Sequence, residues 1–89
     1  MYKISYTGRF KRDYKKILKR KLDVSELETV YTILQKTGTL PADKYKTHIL
    51  KGNWKGYYEA HINPDWLIIW LKKENEIILT ATGTHADLF

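Results

Sequence analysis

The sequence predicts an α+β domain in which two antiparallel helices pack on one mostly antiparallel sheet, in the order β-α-α-β-β-β-β. Three observations lead there. Apolar residues recur at helical spacing in two blocks between residues 8 and 37. From residue 47 onward the chain is strand-prone and interrupted by turn residues. Helices and strands are segregated rather than alternating, which favours an antiparallel sheet with helices on one side. With 89 residues, 43% of them hydrophobic, the chain fits one core and therefore one domain spanning 1–89.

Tyr2 to Tyr6 alternates weakly and reads as a first strand. Thr7 suits a helix cap, and Phe10, Tyr14, Ile17, Leu18 and Leu22 then share one helical face. The opposite face carries Lys11, Lys15 and Lys19 in one row and Arg12, Lys16 and Arg20 in the next. Like charges four residues apart repel, so stability does not explain these rows. A second helix begins at Asp23 or Ser25, where Ser25 and Glu28 have capping-box spacing. Leu27, Val30, Tyr31 and Leu34 form its apolar stripe; Gly38 ends it and Pro41 prevents its resumption. Leu40 to Lys46 is expected to be a loop.

The remaining strands are expected at Thr47–Leu50, Tyr57–Ile62, Asp65–Lys73 and Glu76–Thr82. Gly52 and Gly56 bound the turn before the second of these. Asp65 to Lys73 is almost continuously apolar, as a central strand should be. Asn63-Pro64-Asp65-Trp66 makes a corner, because Pro64 offers no N–H and holds Asn63 extended. Gly83-Thr84-His85 bends out of the sheet into a tail ending at Phe89.

The formal net charge of +6 favours polyanionic partners: nucleic acid, an anionic membrane or an acidic protein. Eight of the thirteen residues from Arg9 to Lys21 are basic, including all three arginines. No segment is long and apolar enough to span a membrane, and the N-terminal residues do not form a signal peptide. The absence of cysteine excludes disulfides, thiolate catalysis and cysteine-based zinc sites. Phosphate-binding glycine loops, nucleophile elbows and metalloprotease helices are also missing.

What remains for chemistry is three histidines, His48, His61 and His85, with Asp65 at the corner. They are expected to meet. Histidine exchanges protons near neutral pH. On a basic protein such a group suits RNA cleavage through the 2′-hydroxyl, with one group removing its proton and another protonating the leaving 5′-oxygen. Three histidines and a carboxylate could instead ligate zinc, but their spacing matches no local ligand motif. Trp54, in a glycine-flanked turn, is the tryptophan expected at the surface. Trp66 and Trp70 suit the core better, although Trp66 adjoins the corner and is kept as an RNA-contact candidate. An aromatic terminus such as Phe89 is suited to stacking on a base.

The segments Thr47-His48-Ile49-Leu50-Lys51-Gly52, Ala60-His61-Ile62-Asn63-Pro64-Asp65-Trp66 and Thr82-Gly83-Thr84-His85-Ala86-Asp87-Leu88-Phe89 resemble the YafQ branch of the RelE/ParE toxin superfamily. The resemblance covers essentially the whole chain. It implies a RelE-like, microbial-ribonuclease-like fold and a bacterial, cytoplasmic type II toxin: a ribosome-dependent, metal-independent endoribonuclease that cuts translating mRNA in the A site. It requires no cofactor. Its partners would be an acidic RelB/DinJ-like antitoxin, ribosomal RNA and mRNA, with operator DNA engaged only through the antitoxin complex. The resemblance assigns the site to His48, His61, Asp65, His85 and Phe89. Lys11, Lys15, Lys16, Lys19 and Arg20, with Lys51, Trp54, Lys55 and Trp66, are the expected RNA contacts.

Two positions depart from the family pattern. Relatives commonly carry arginine where this chain has Tyr58 and Ala81. A Tyr58→Arg substitution is therefore expected to raise the cutting rate.

Overall fold

The computed structural model describes residues 1–89. Five strands form one sheet: β1 (Lys3–Tyr6), β2 (His48–Ile49), β3 (Tyr58–Asn63), β4 (Trp66–Lys73) and β5 (Glu76–Gly83). Their spatial order is β1-β5-β4-β3-β2. β2 through β5 pair antiparallel, and β1 joins β5 in parallel. The helices are α1 (Gly8–Lys19), α2 (Ser25–Thr37), α3 (Ala42–Tyr45) and α4 (His85–Leu88).

α1 and α2 lie on one face of the sheet. Phe10 and Ile17 from α1, and Val30 and Leu34 from α2, bury against Ala60, Ile62, Ile68, Trp70, Ile77 and Leu79. Strand alternation puts Leu67, Ile69 and Ala81 on the opposite face, where Leu88 of α4 completes a smaller apolar cluster. β4 is central because its first five residues are buried on both faces, as its apolar run requires.

The local chemistry largely follows expectation. Thr7 caps α1, accepting the Phe10 N–H at 3.0 Å. Gly38 closes α2 at φ 76, and a Cβ there would meet the Tyr2 ring at 2.7 Å, so glycine is required.

Four details differ. The cap residue of α2 is Val24, not Ser25; Asp23 instead accepts the Ser25 N–H and hydroxyl, which holds the Asp23 carboxyl below its usual range. The segment expected as a loop contains α3, because Tyr45 turns inward and buries. Leu18 remains 47% exposed. The tail is also helical: the Thr84 side chain accepts the Asp87 N–H while the Asp87 carboxylate accepts the Thr84 N–H, a reciprocal capping box.

Candidate active site

The histidines gather on the face of the sheet turned away from α1 and α2. On β3, Glu59 and His61 are two residues apart and so share this face. Antiparallel pairing sets His48 of β2 directly opposite Glu59. One carboxylate oxygen of Glu59 then lies 3.3 Å from Nε2 of His48 and 3.9 Å from Nε2 of His61. Nδ1 of His48 is 2.9 Å from the carbonyl of Lys46, the residue that ends α3 in a left-handed conformation at φ 52. His85, the first residue of α4, sets its ring 5.8 Å from that of His61, and Phe89 lies 6.1 Å beyond. His61 is thus the middle of a chain running from Glu59 to Phe89. The expectation that the histidines meet matches this geometry.

Glu59 was not foreseen. It is only 3% exposed, and one of its oxygens has no hydrogen-bond partner. The signal was present in the sequence as a single carboxylate within an apolar strand, spaced by two from a histidine.

Asp65 lies at the exposed turn, where its N–H is bound by the Asn63 side chain at 3.0 Å. Its carboxylate makes no ion pair with any histidine. No group of three histidine, aspartate or glutamate side chains has the spacing to hold a metal.

Trp66 is a correction. It is fully buried on the helix-covered face, and its indole N–H donates to the Thr82 hydroxyl at 2.7 Å. Strand alternation and the need to satisfy that N–H make it core, so it cannot contact RNA. Trp54 is half-buried rather than exposed: Tyr57 meets its edge at 5.4 Å and the Arg9 guanidinium covers the ring at 5.4 Å. Lys51 and Lys55 beside it are exposed.

Tyr58 points to the helix side and stacks on Trp70, with centroids 5.7 Å apart. An arginine there would therefore leave the histidine face untouched. Ala81 does lie on the histidine face, within the Leu67, Ile69 and Leu88 cluster.

Lys11, Lys15, Lys16 and Lys19 are exposed along α1. Arg20 has a partner within the protein. It binds both carboxylate oxygens of Asp87, at 2.6 and 3.1 Å, and holds that carboxyl well below the usual carboxylate range. Between α1 and α2 runs an apolar groove of about 790 Å³, lined by Tyr6, Phe10, Tyr14, Leu18, Leu27 and Tyr31 and edged by Lys11 and Lys15 from α1 and Glu28 from α2. Partial burial beside the groove, and then the neighbouring Tyr31 hydroxyl, raise the Tyr6 hydroxyl above its ordinary value.

Paired helices on one face of a five-stranded sheet, with acid–base side chains on the other, define a RelE-like toxin fold. Residues 2–89 match the family described as a bacterial toxin of type II toxin–antitoxin systems, YafQ, and the chain belongs to that family. It is 42% identical over 87 residues to the mRNA interferase toxin YafQ of Escherichia coli (strain K12), covering 97% of this chain and 94% of the relative. A crystal structure of a copper-bound mutant toxin from Helicobacter pylori superposes with a TM-score of 0.91 at 37% identity, covering 100% of both chains. The E. coli DinJ–YafQ complex contains a chain with a TM-score of 0.88 and 41% identity, covering 100% of this chain and 99% of that one.

Proposed function

We propose that this chain is an mRNA interferase: an endoribonuclease that enters the ribosomal A site of bacterial cytoplasm and cuts translating mRNA without a metal. The observation that carries this reading is the run of His48, His61, His85 and Phe89 along one sheet face of a basic protein. Proton exchange by these imidazoles activates the 2′-hydroxyl and protonates the departing 5′-oxygen. His85 is the principal proton-transfer residue, and His48, His61 and Asp65 share the remaining duties. Phe89, 59% exposed, stacks on a nucleotide. Lys11, Lys15, Lys16 and Lys19 bind ribosomal RNA phosphates; Lys51 and Lys55 hold the message beside the site.

An acidic DinJ-like antitoxin silences the toxin, and operator DNA is reached only through that complex. The apolar groove edged by Lys11 and Lys15 suits an acidic, amphipathic segment of such a partner.

Induced expression followed by mapping of mRNA 5′ ends tests the reading. In-frame cuts with wild type that vanish with His85→Ala, while antitoxin binding persists, are the expected result. No cuts from well-expressed wild type would leave a module that binds RNA and antitoxin without cleaving, or a ParE-like inhibitor of gyrase.

A further inference from the structure

We propose that Glu59 is a positioning residue that keeps a proton on Nε2 of His48, committing His48 to the role of proton donor. This rests on the ribonuclease reading above. The inference starts from the acceptors around one ring. Nδ1 of His48 faces the Lys46 carbonyl at 2.9 Å, and a carbonyl can only accept, so Nδ1 carries a hydrogen. Nε2 faces a Glu59 oxygen at 3.3 Å. Were Nε2 bare, its lone pair would lie beside the negative charge of a buried carboxylate. A proton on Nε2, between the two atoms, removes the conflict.

The surroundings give Glu59 no other means of compensation. Its side chain is 4% exposed and its second oxygen is buried without a partner. The charged or titratable groups facing it are His48 from β2 and His61 from its own strand, the latter at 3.9 Å, beyond hydrogen-bond range. From α4, the His85 ring lies near the rings of His61 and Phe89 and pairs with no carboxylate. A buried carboxylate without a proton or cation beside it is strongly disfavoured, so the His48 contact is what makes Glu59 tolerable there.

The roles then separate. His85 is exposed and neither ring nitrogen makes a hydrogen bond, so a lone pair is free to take the 2′-hydroxyl proton. The 2′-oxygen bonds to phosphorus as the bond from phosphorus to the 5′-oxygen breaks. The Nε2 proton of His48 passes to that 5′-oxygen, giving a 2′,3′-cyclic phosphate and a 5′-hydroxyl end. His48 is 52% exposed, so the leaving oxygen can approach, and 3.3 Å is longer than a tight charge-assisted bond. Glu59 holds the proton in place without withholding it.

The test compares wild type, Glu59→Gln and Glu59→Asp on a short synthetic mRNA in the A site of purified bacterial ribosomes. A second message carries sulfur in place of the 5′-oxygen at the cut, a leaving group that needs no proton. Glu59→Gln should slow the ordinary message by about 100-fold yet cut the sulfur-bearing one at close to the wild-type rate. Glu59→Asp, which retains the charge, should recover part of the loss. Nitrogen NMR of the free protein at neutral pH reads the His48 ring directly: Nε2 should lose its proton in Glu59→Gln and keep it in Glu59→Asp. Equal slowing of both messages, or an unchanged Nε2 in Glu59→Gln, would overturn the proposal. If wild type cuts neither message, the ribonuclease reading fails, and the NMR comparison still decides what Glu59 does to His48.

Discussion

Arg20, the residue that caps the C-terminus of α1, and Asp87 on α4 form a two-point ion pair, with guanidinium nitrogens 2.6 and 3.1 Å from the two carboxylate oxygens. The same carboxylate accepts the Thr84 N–H at 2.9 Å. Asp87 therefore both caps the tail helix and ties it to α1. Gly83 permits the arrangement: its φ is 154, and a Cβ there would sit 2.8 Å from the Asp87 side chain. His85 and Phe89 lie on the segment so held.

Arg20→Gln should therefore mobilise the tail while the melting temperature hardly moves. Cleavage should fall about 10- to 100-fold, because catalytic geometry is lost rather than the fold. Hydrogen exchange at residues 84–89 reports the loosening. The pH dependence follows from the depressed Asp87 carboxyl, whose first cause is the Arg20 hydrogen bond. A folded-state value below the unfolded one stabilises above the unfolded value of about 3.9 and is lost as pH falls through the folded one. The wild-type tail should thus stay protected at pH 3, whereas in Arg20→Gln protection should fade as pH drops below about 4. Identical exchange profiles for the two proteins would remove Arg20 from this role.

Thr82→Val keeps the side-chain volume and deletes the hydroxyl that accepts from Trp66 and donates to the Leu67 carbonyl at 2.6 Å. Both partners are buried, so the change should cost about 1–3 kcal/mol in denaturant unfolding. A loss below about half a kcal/mol would mean that the indole finds another acceptor.

Ala81→Arg and Tyr58→Arg should behave oppositely. The first places a guanidinium among the residues of the histidine face and should alter the cutting rate, at some cost in packing. The second breaks the stack on Trp70, worth about 0.5–1.5 kcal/mol, and should leave the rate unchanged. Rates on programmed ribosomes, with stability measured in parallel, decide between them. Faster cutting by Tyr58→Arg would show that position 58 does reach the site.

Replacing Lys11, Lys15 and Lys19 with glutamine should weaken ribosome binding and reduce the slope of log affinity against log salt by up to about three. The substitutions leave the histidine face intact. Unaltered binding at every salt concentration would mark the lysine row as a solvated surface.

The fold was legible because each element announced itself by local chemistry: the Thr7 cap, the Gly38 stop, the unbroken β4 run and the Pro64 corner. Partner choice is not local, so neither the parallel pairing of β1 with β5 nor the grip of Arg20 on Asp87 could be read from periodicity. The three histidines were recognisable as a set because they are the only ones in the chain. Glu59 escaped notice because its importance comes from burial and from His48 lying opposite, both products of pairing. Trp66 was miscounted as an RNA contact because it adjoins the corner; alternation along β4 turns it inward.

The parallel pairing of β1 also orders events in time. Ser5 bonds Glu76 across a separation of 71 residues, and Arg20 bonds Asp87 across 67. Contacts that close such long loops are slow to form, whereas the β3–β4 hairpin and the helices require only neighbours. His48 and His61 can meet Glu59 as soon as β2 and β3 pair. His85 is set by two further contacts, the β4–β5 hairpin and the Arg20 hold on the tail. The histidine face is therefore built partly by neighbouring strands and partly by a link between the two ends of the chain, and only the second of these can be cut without touching the sheet.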